Sequence, residues 1–131
     1  FVFGYDHDDK DIFERTFKFA IASKFFRCYF HNVFPYPGTR LYKRLMHENR
    51  MICPGWWKDD AHSFGEVSFY PKGSLDPSML YNESTRIRRK LYKFSNILKR
   101  VEFKANCRDF RSFIYFFVAN LIYQYSRKRR G

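Results

Sequence analysis

Two short apolar runs separated by a helical pattern constrain the fold of this chain more than any other feature. Phe1–Gly4 and Phe25–Phe34 are rich in the aromatic and β-branched residues that favour buried strands. Between them, Lys10–Ser23 carries apolar residues at helical spacing. The pattern predicts a strand-helix-strand unit. In α/β folds ligands bind where the strands end, so the first candidate segments are Gly4–Asp9 and Pro35–Thr39.

The remainder of the chain predicts a loop followed by helices. Thr39 is expected to cap a short helix from Arg40 to about Asn49, and Cys53–Gly73 has the Pro, Gly and Trp content of a long loop. Asp76-Pro77 is a strong helix-start signal. The apolar residues beyond it predict one amphipathic helix of about seven turns: Leu80, Ile87, Leu91, Phe94, Leu98 and Val101. A last helix is predicted from about Asp109 to Tyr125.

The charge of the chain is strongly positive, and the excess lies in its second half. Lys and Arg number 25 against 13 Asp and Glu, for a net charge of +12. Phe1–Phe26 contains five acidic and four basic residues, whereas Arg86–Lys104 contains one acidic and eight basic residues. Such a balance favours an anionic partner, such as nucleic acid, phosphate or an acidic membrane.

The cysteines and histidines form no local metal motif. The three cysteines are widely spaced, and neither C-x-x-C nor C-x-x-x-C-x-x-C occurs. Neighbouring cysteines therefore cannot build a zinc ribbon or an iron-sulfur site. His31, His47 and His62 are isolated, as is typical of surface or hydrogen-bonded core histidines. The odd cysteine count and the lack of a signal-peptide pattern favour a cytoplasmic location.

The order of the motifs resembles the C-terminal part of radical S-adenosylmethionine enzymes that also carry a cobalamin-binding domain. A glycine and two aspartates follow the first strand, and proline-rich, Leu-Tyr-x-Arg-Leu and Glu-x-Arg motifs lead to a tryptophan loop and a basic helix. The matching residues are Gly4, Asp6 and Asp8; Phe30 with Pro35 to Thr39; Leu41, Tyr42, Arg44 and Leu45; Glu48 and Arg50; Trp56 and Trp57. Farther on, residues 69–72, 91–95 and 119–123 resemble the family's accessory region and last helix. The ordered series carries the resemblance, since each motif alone is common.

The resemblance implies an α/β fold in which residues 1–52 are the last strand-helix units of a partial (β/α) barrel. Residues 53–131 would be a loop and a mostly helical C-terminal accessory region. The parent enzyme would use a 4Fe-4S cluster to cleave S-adenosylmethionine to a 5′-deoxyadenosyl radical. Cobalamin in a separate domain would serve methyl transfer or a related radical step.

The chain has no three-cysteine cluster loop and begins inside its first strand. We therefore expect a segment of a longer enzyme that binds neither cluster, S-adenosylmethionine nor cobalamin by itself and is inert alone. Its partners would be the remainder of the parent enzyme and a small-molecule substrate. No catalytic residue and no metal ligand is assigned within the chain.

Six residues are the candidate cofactor contacts: Val2, Gly4, Asp6, Pro35, Pro37 and Gly38. In the family resembled, the corresponding strand carries G-x-I-x-G-x-x-E and lines the adenosine part of the cofactor. Val2 and Gly4 match its Ile and second Gly, whereas His7 stands where Glu is expected. A residue without a side chain would let the ligand approach the backbone, and the prolines would give a rigid turn. The alternative is a polar loop with helix-capping aspartates and a purely structural turn.

A second function stays open at the level of sequence: a non-enzymatic basic module that binds RNA or an anionic membrane surface. Basic residues of Arg86–Lys104 would follow the phosphates, with Tyr92 and Phe94 stacking on bases. A solvated helix face is the commoner meaning of such a charge run, so specific nucleic-acid binding is not expected.

Phe110–Tyr125 is apolar and ends near the cations Arg127–Arg130, which anionic lipid attracts. The run is shorter than the ~20 residues that span a bilayer, so membrane contact through residues 110–130 would be peripheral.

Overall fold

The strand-helix-strand unit predicted from the sequence is present as two short parallel strands with a helix between them. A computed structural model describes residues 1–58 and 66–128. Within these residues the fold is α/β, mostly helical, with a two-stranded parallel sheet. The elements are β1 (Val2–Phe3), α1 (Ile12–Ala22), β2 (His31–Asn32), α2 (Arg40–His47), a 3-10 turn (Trp56–Lys58), α3 (Pro77–Leu91), α4 (Phe94–Lys99) and α5 (Phe110–Lys128). The partial barrel stays a prediction.

The second strand is much shorter than the predicted Phe25–Phe34. Side chains bind the backbone of the segment before it: the Phe25 and Phe26 carbonyls accept hydrogen bonds from Arg100, at 3.1 and 3.3 Å. The hydroxyl of Tyr92 accepts from the Cys28 amide at 3.1 Å and donates to the Cys28 carbonyl at 2.7 Å. Because side chains satisfy these backbone groups, they are not part of a strand ladder.

The chain forms two compact units, and each unit is built from two separate stretches. Unit 1 comprises Phe1–Ile12 and Phe30–Ser84, and unit 2 comprises Phe13–Tyr29 and Thr85–Gly131. The core of unit 1 includes Phe3, Phe30, Leu45, Phe69 and Leu80. The core of unit 2 includes Phe17, Ile87, Leu91, Ile97 and Phe116. The division into residues 1–52 and 53–131 stays a prediction.

Helix starts follow the local sequence signals. Thr39 caps α2, and its hydroxyl accepts from the Tyr42 amide at 3.2 Å. Asp76 precedes Pro77, and its carboxylate accepts from the Met79 amide at 2.8 Å. Asp109 does the same for α5, accepting from the Ser112 amide at 2.9 Å. Each cap satisfies an amide that the first helical turn leaves without a partner.

The prediction of one seven-turn helix beyond Asp76 is wrong, because α3 ends at Leu91 and α4 begins at Phe94. Lys93 between them is extended, with φ −62° and ψ 141°, and the Asn96 side chain donates to the Lys90 carbonyl at 2.7 Å. The break changes which face of the second helix is buried. Ile97 is buried, whereas Phe94 and the predicted core residue Leu98 are exposed.

The predicted loop after Cys53 lies partly in the described residues. Trp56–Lys58 forms the 3-10 turn. Met51 and Phe69 form an isolated antiparallel bridge. His62 lies outside the described residues. In the described part of the chain no helix is both long enough and apolar enough to cross a membrane.

Candidate functional site

The two candidate segments leave the sheet at the same edge. β1 and β2 pair in parallel, with Val2 opposite His31 and Phe3 opposite Asn32, and the Val33 amide donates to the Phe3 carbonyl at 2.7 Å. Gly4 and Val33 are thus the first residues past the carboxyl ends of both strands. The sheet therefore brings together the loop after β1 and the turn after β2, as the sequence predicted.

The loop after β1 is closed by one of its own aspartates. The Asp8 carboxylate accepts from the Gly4 amide at 2.7 Å and from the Tyr5 amide at 3.0 Å. Two backbone donors that an anionic ligand could use at this edge therefore already have an acceptor. The Asp9 carboxylate accepts from the Asp11 amide at 3.0 Å, just before α1. Both aspartates are thus structural in the described geometry.

Gly4 is required by its backbone conformation and by packing. Its φ is +103°, a conformation that residues with a side chain rarely adopt. A Cβ atom added there would lie 2.8 Å from a Leu80 methyl carbon and 3.4 Å from the Phe69 ring. Core side chains fill the space on that side of the glycine. Its assignment as a cofactor contact stays a prediction, but packing alone explains the absence of a side chain.

Asp6 lies in an ion network. One carboxylate oxygen is 3.0 Å from Arg50, and the other is 3.0 Å from Arg44. Arg50 also contacts Glu48 at 2.7 Å and donates to the Tyr70 carbonyl at 2.8 Å. The hydrogen bond from Arg50 holds the pKa of Glu48 below its usual value. The Glu-x-Arg motif therefore ties the loop after β1 to the end of α2, a role that the sequence analysis did not assign.

The turn after β2 is anchored by a tryptophan. The Trp56 indole donates to the Pro35 carbonyl at 3.4 Å, and its ring centroid lies 4.4 Å from that of Phe34. Pro35 is buried, whereas Pro37 and Gly38 are exposed. Gly38 has φ +82° and open space around it. Of the remaining candidates, Val2 is also exposed.

No metal site is found within residues 1–58 and 66–128: no three His, Cys, Asp or Glu side chains are grouped so that they could hold an ion. Cys28, Cys53 and Cys107 are free thiols. Burial raises the pKa of Cys28 and of Cys107. These two thiols therefore resist forming the thiolate that binds metals.

The basic stretch is only partly available for a ligand. The Glu14 carboxylate contacts Lys90 at 2.7 Å and Arg86 at 3.8 Å. Tyr92 and Arg100, which the alternative basic-module function would use for base stacking and phosphate contact, are buried. These two residues are therefore not on an exposed basic face, because the break after α3 directs both into the core of unit 2.

The chain is similar to a methyltransferase. It is 29% identical over 104 residues to the bacteriochlorophyllide d C-12(1)-methyltransferase of Chlorobaculum tepidum. The similarity covers 79% of this chain but only 22% of that protein. No protein-family model matches the chain. No solved structure matches it either.

The buried hydroxyl of Tyr92 predicts a loss of stability in alkaline solution. Burial raises the pKa of Tyr92 from 10.0 to about 12. Between these values the unfolded chain loses a proton that the folded chain keeps, so this stabilisation is complete below pH 10 and falls as the pH rises to about 12. The loss approaches about 3 kcal/mol for a shift of about two units.

Denaturant unfolding followed by circular dichroism at pH 8 to 11.5 measures this effect. We expect Tyr92→Phe to be about 1–3 kcal/mol less stable than wild type at pH 8, because the Cys28 amide and carbonyl lose their partner. The difference in the free energy of unfolding between the variant and wild type should shrink as the pH rises. A constant difference between the two proteins across the pH range would contradict the prediction.

Proposed function

We propose that this chain is a segment of a radical S-adenosylmethionine enzyme that transfers a methyl group. The observation that carries the proposal is the similarity to a methyltransferase over 79% of the chain, which is too long to be confined to one motif. The ordered motif series from Gly4 to Trp57 supports the same class. Because the chain spans only 22% of the relative's length, the complete enzyme's activity and substrate are part of the proposal.

The parallel β-α-β unit supports the placement within that enzyme. It fits the last strand-helix units of a (β/α) barrel, whose ligands bind at the carboxyl ends of the strands. Residues 1–52 would then be the end of the barrel, and residues 53–131 the accessory region that covers it. The loop after β1 and the turn after β2 would form part of the wall facing the cofactor.

The geometry limits which groups could contact S-adenosylmethionine. The Asp6 carboxylate is bound by two arginines, and the Gly4 and Tyr5 amides are bound by Asp8. Contact would therefore fall to the exposed side chain of Val2 and to the exposed turn at Pro37 and Gly38. Asp6 would act as a positioning residue that holds the loop against Arg44 and Arg50.

The chemistry would come from the bound groups. S-adenosylmethionine supplies a methyl group or, after reductive cleavage by a 4Fe-4S cluster, a 5′-deoxyadenosyl radical. The residues of this chain would bind and orient the ligand and exclude water. The cysteines of this chain lack the spacing of a cluster-binding motif. Cluster and cobalamin would both be held by other parts of the enzyme, with the remainder of that enzyme as this chain's partner.

The complete protein tests this proposal. We expect its reading frame to contain a C-x-x-x-C-x-x-C motif before Phe1. The anaerobically purified protein should contain a 4Fe-4S cluster and form 5′-deoxyadenosine or S-adenosylhomocysteine from S-adenosylmethionine. A complete protein that has no such motif and does not bind S-adenosylmethionine would overturn the proposal.

A matched pair of variants tests the part assigned to this chain. Val2→Arg should weaken S-adenosylmethionine binding about tenfold, because a bulky cation would replace an exposed apolar contact; tenfold corresponds to about 1.4 kcal/mol. Tyr81→Arg introduces the same group at an exposed position of α3 and should leave binding unchanged. Equal affinities for the two variants, with unfolding midpoints like wild type, would remove Val2 from the site.

A further inference from the structure

The longest helix of unit 2 is apolar on its exposed side as well as on its buried side. Phe116, Ala119 and Asn120 of α5 are buried. At 100° per residue, seven exposed apolar residues fall on an arc of roughly 140° that also contains the exposed Arg111 of the first turn. These seven residues, named here the α5 face, are Phe110, Ile114, Tyr115, Val118, Leu121, Ile122 and Tyr125. Phe113, 36% exposed, lies outside this arc.

The loop before α5 adds to this exposed apolar surface. Phe103 is 70% exposed and Phe110 is 76% exposed. In α4, Phe94 and Leu98 are also exposed, and α4 contacts α5. Single exposed apolar side chains are ordinary, but an accumulation of this size in one unit marks an interaction surface.

Exposed cations flank the apolar residues along the chain. Five exposed basic residues lie on α4, on the loop and on the first turn of α5: Lys93, Lys99, Lys104, Arg108 and Arg111. The acidic groups nearby are engaged locally, since Asp109 caps α5 and Glu102 accepts from the Lys104 amide at 3.3 Å. Four further cations, Arg127 to Arg130, follow in the sequence.

We propose that the α5 face, together with Phe103, binds the surface of a membrane that contains anionic lipid, with α5 lying in the plane of the interface. Apolar side chains combined with exposed Lys and Arg match the acyl chains and acidic headgroups of such a surface. A second copy of the chain would bring the same cations against each other, so charge favours lipid over self-association.

The dimensions and composition of the helix agree with this orientation. α5 has 19 residues, about 28 Å at 1.5 Å per residue, and no described helix is apolar enough to cross a bilayer. The rings of Tyr115 and Tyr125 suit an interface, where one end of the side chain is apolar and the other is hydrated. The inference rests on unit 2 and is independent of the proposed enzymatic function.

Vesicle co-sedimentation of the chain tests the inference. We expect binding to vesicles of phosphatidylcholine with about one-third phosphatidylglycerol, and at least tenfold weaker binding to phosphatidylcholine alone. High salt should weaken the binding to the anionic vesicles, since screening reduces the attraction of the cations. Equal binding to both vesicle types, or binding to neither, would overturn the proposal.

Variants on the exposed side separate membrane binding from folding. Phe103→Ser and the double variant Ile114→Ser/Ile122→Ser should each reduce vesicle binding at least fivefold without shifting the unfolding midpoint. Tyr81→Ser, an exposed aromatic residue of α3 in unit 1, is the matched control and should bind like wild type.

Two measurements decide between lipid and other occupants of the surface. Sedimentation velocity should show a monomer; a dimer that the Ile114→Ser/Ile122→Ser variant dissociates would assign the α5 face to self-association and overturn the proposal. Competition with single-stranded RNA should leave vesicle binding intact. RNA that displaces the vesicles and binds more tightly than they do would also overturn it.

Discussion

Replacing Arg100 by methionine is expected to destabilise unit 2 by about 3–5 kcal/mol. The guanidinium is fully buried and donates to the carbonyls of Phe25 and Phe26 and, at 2.9 Å, to the amide oxygen of Asn120. Burial lowers its pKa. The rings of Tyr92 and Phe116 lie 5.2 and 5.8 Å from it. Methionine fills a similar volume but leaves the Phe25 carbonyl and the Asn120 amide oxygen without this donor. The Phe26 carbonyl keeps the Asn120 side-chain amide as a donor, at 3.1 Å. Each lost donor is costly.

Urea unfolding monitored by circular dichroism measures this effect. Arg100→Lys keeps the charge, but an ammonium group lacks the planar fork of a guanidinium, so we expect an intermediate loss. Lys99→Met makes the same kind of change at the preceding, exposed residue and should alter the free energy of unfolding by no more than about 0.5 kcal/mol. Similar stabilities for the two methionine variants would show that the buried hydrogen bonds contribute little.

Replacing Gly4 by alanine should destabilise unit 1 by about 2–4 kcal/mol. Two costs combine, because φ of +103° strains any residue with a side chain and the new methyl group would lie 2.8 Å from Leu80. Thermal unfolding of the chain without ligand is the measurement, because it isolates the folding cost from any effect on a ligand.

Two further variants separate strain from overlap at Gly4. An alanine at position 38 would have to adopt φ of +82°, but its Cβ would have no atom within 4 Å. Gly38→Ala should therefore lower the free energy of unfolding by only about 1–2 kcal/mol, from backbone strain alone. Leu80→Ala is destabilising by itself, but it removes the methyl carbon that would overlap the new side chain at Gly4. The double variant should therefore lose less free energy of unfolding than the sum of the two single variants. Strict additivity would exclude the overlap as the cause.

Features that depend on neighbouring residues were predicted well from the sequence. The caps at Thr39 and Asp76 act within three positions, and the apolar pattern of α1 reports directly on its buried face. The break after α3 was not predictable in this way. Tyr92 contacts Cys28 across 64 positions, and Arg100 contacts Phe25 across 75. No local pattern distinguishes a tyrosine and an arginine with such distant partners from the exposed side chains of a basic helix.

The candidate site likewise combines features that local sequence predicts with features that depend on distant partners. Chain order and strand ends predicted that the segments at Gly4 and Pro35 share an edge, and the parallel register confirms this. The engagement of Asp6 by Arg44 and Arg50 required the tertiary structure, because 38 to 44 positions separate these residues in the sequence. The Glu-x-Arg motif was visible in the sequence, but its partner was not.

The interleaving of the two units has a consequence for synthesis on the ribosome. Unit 1 is complete once Ser84 has been made, whereas the Phe13–Tyr29 stretch of unit 2 needs residues beyond Thr85. Domains generally fold as units while the chain is still growing. The aromatic residues of that early stretch must therefore wait, unpacked, until α5 emerges from the exit tunnel. During this interval these exposed aromatic side chains are prone to aggregate, which makes them a binding site for chaperones.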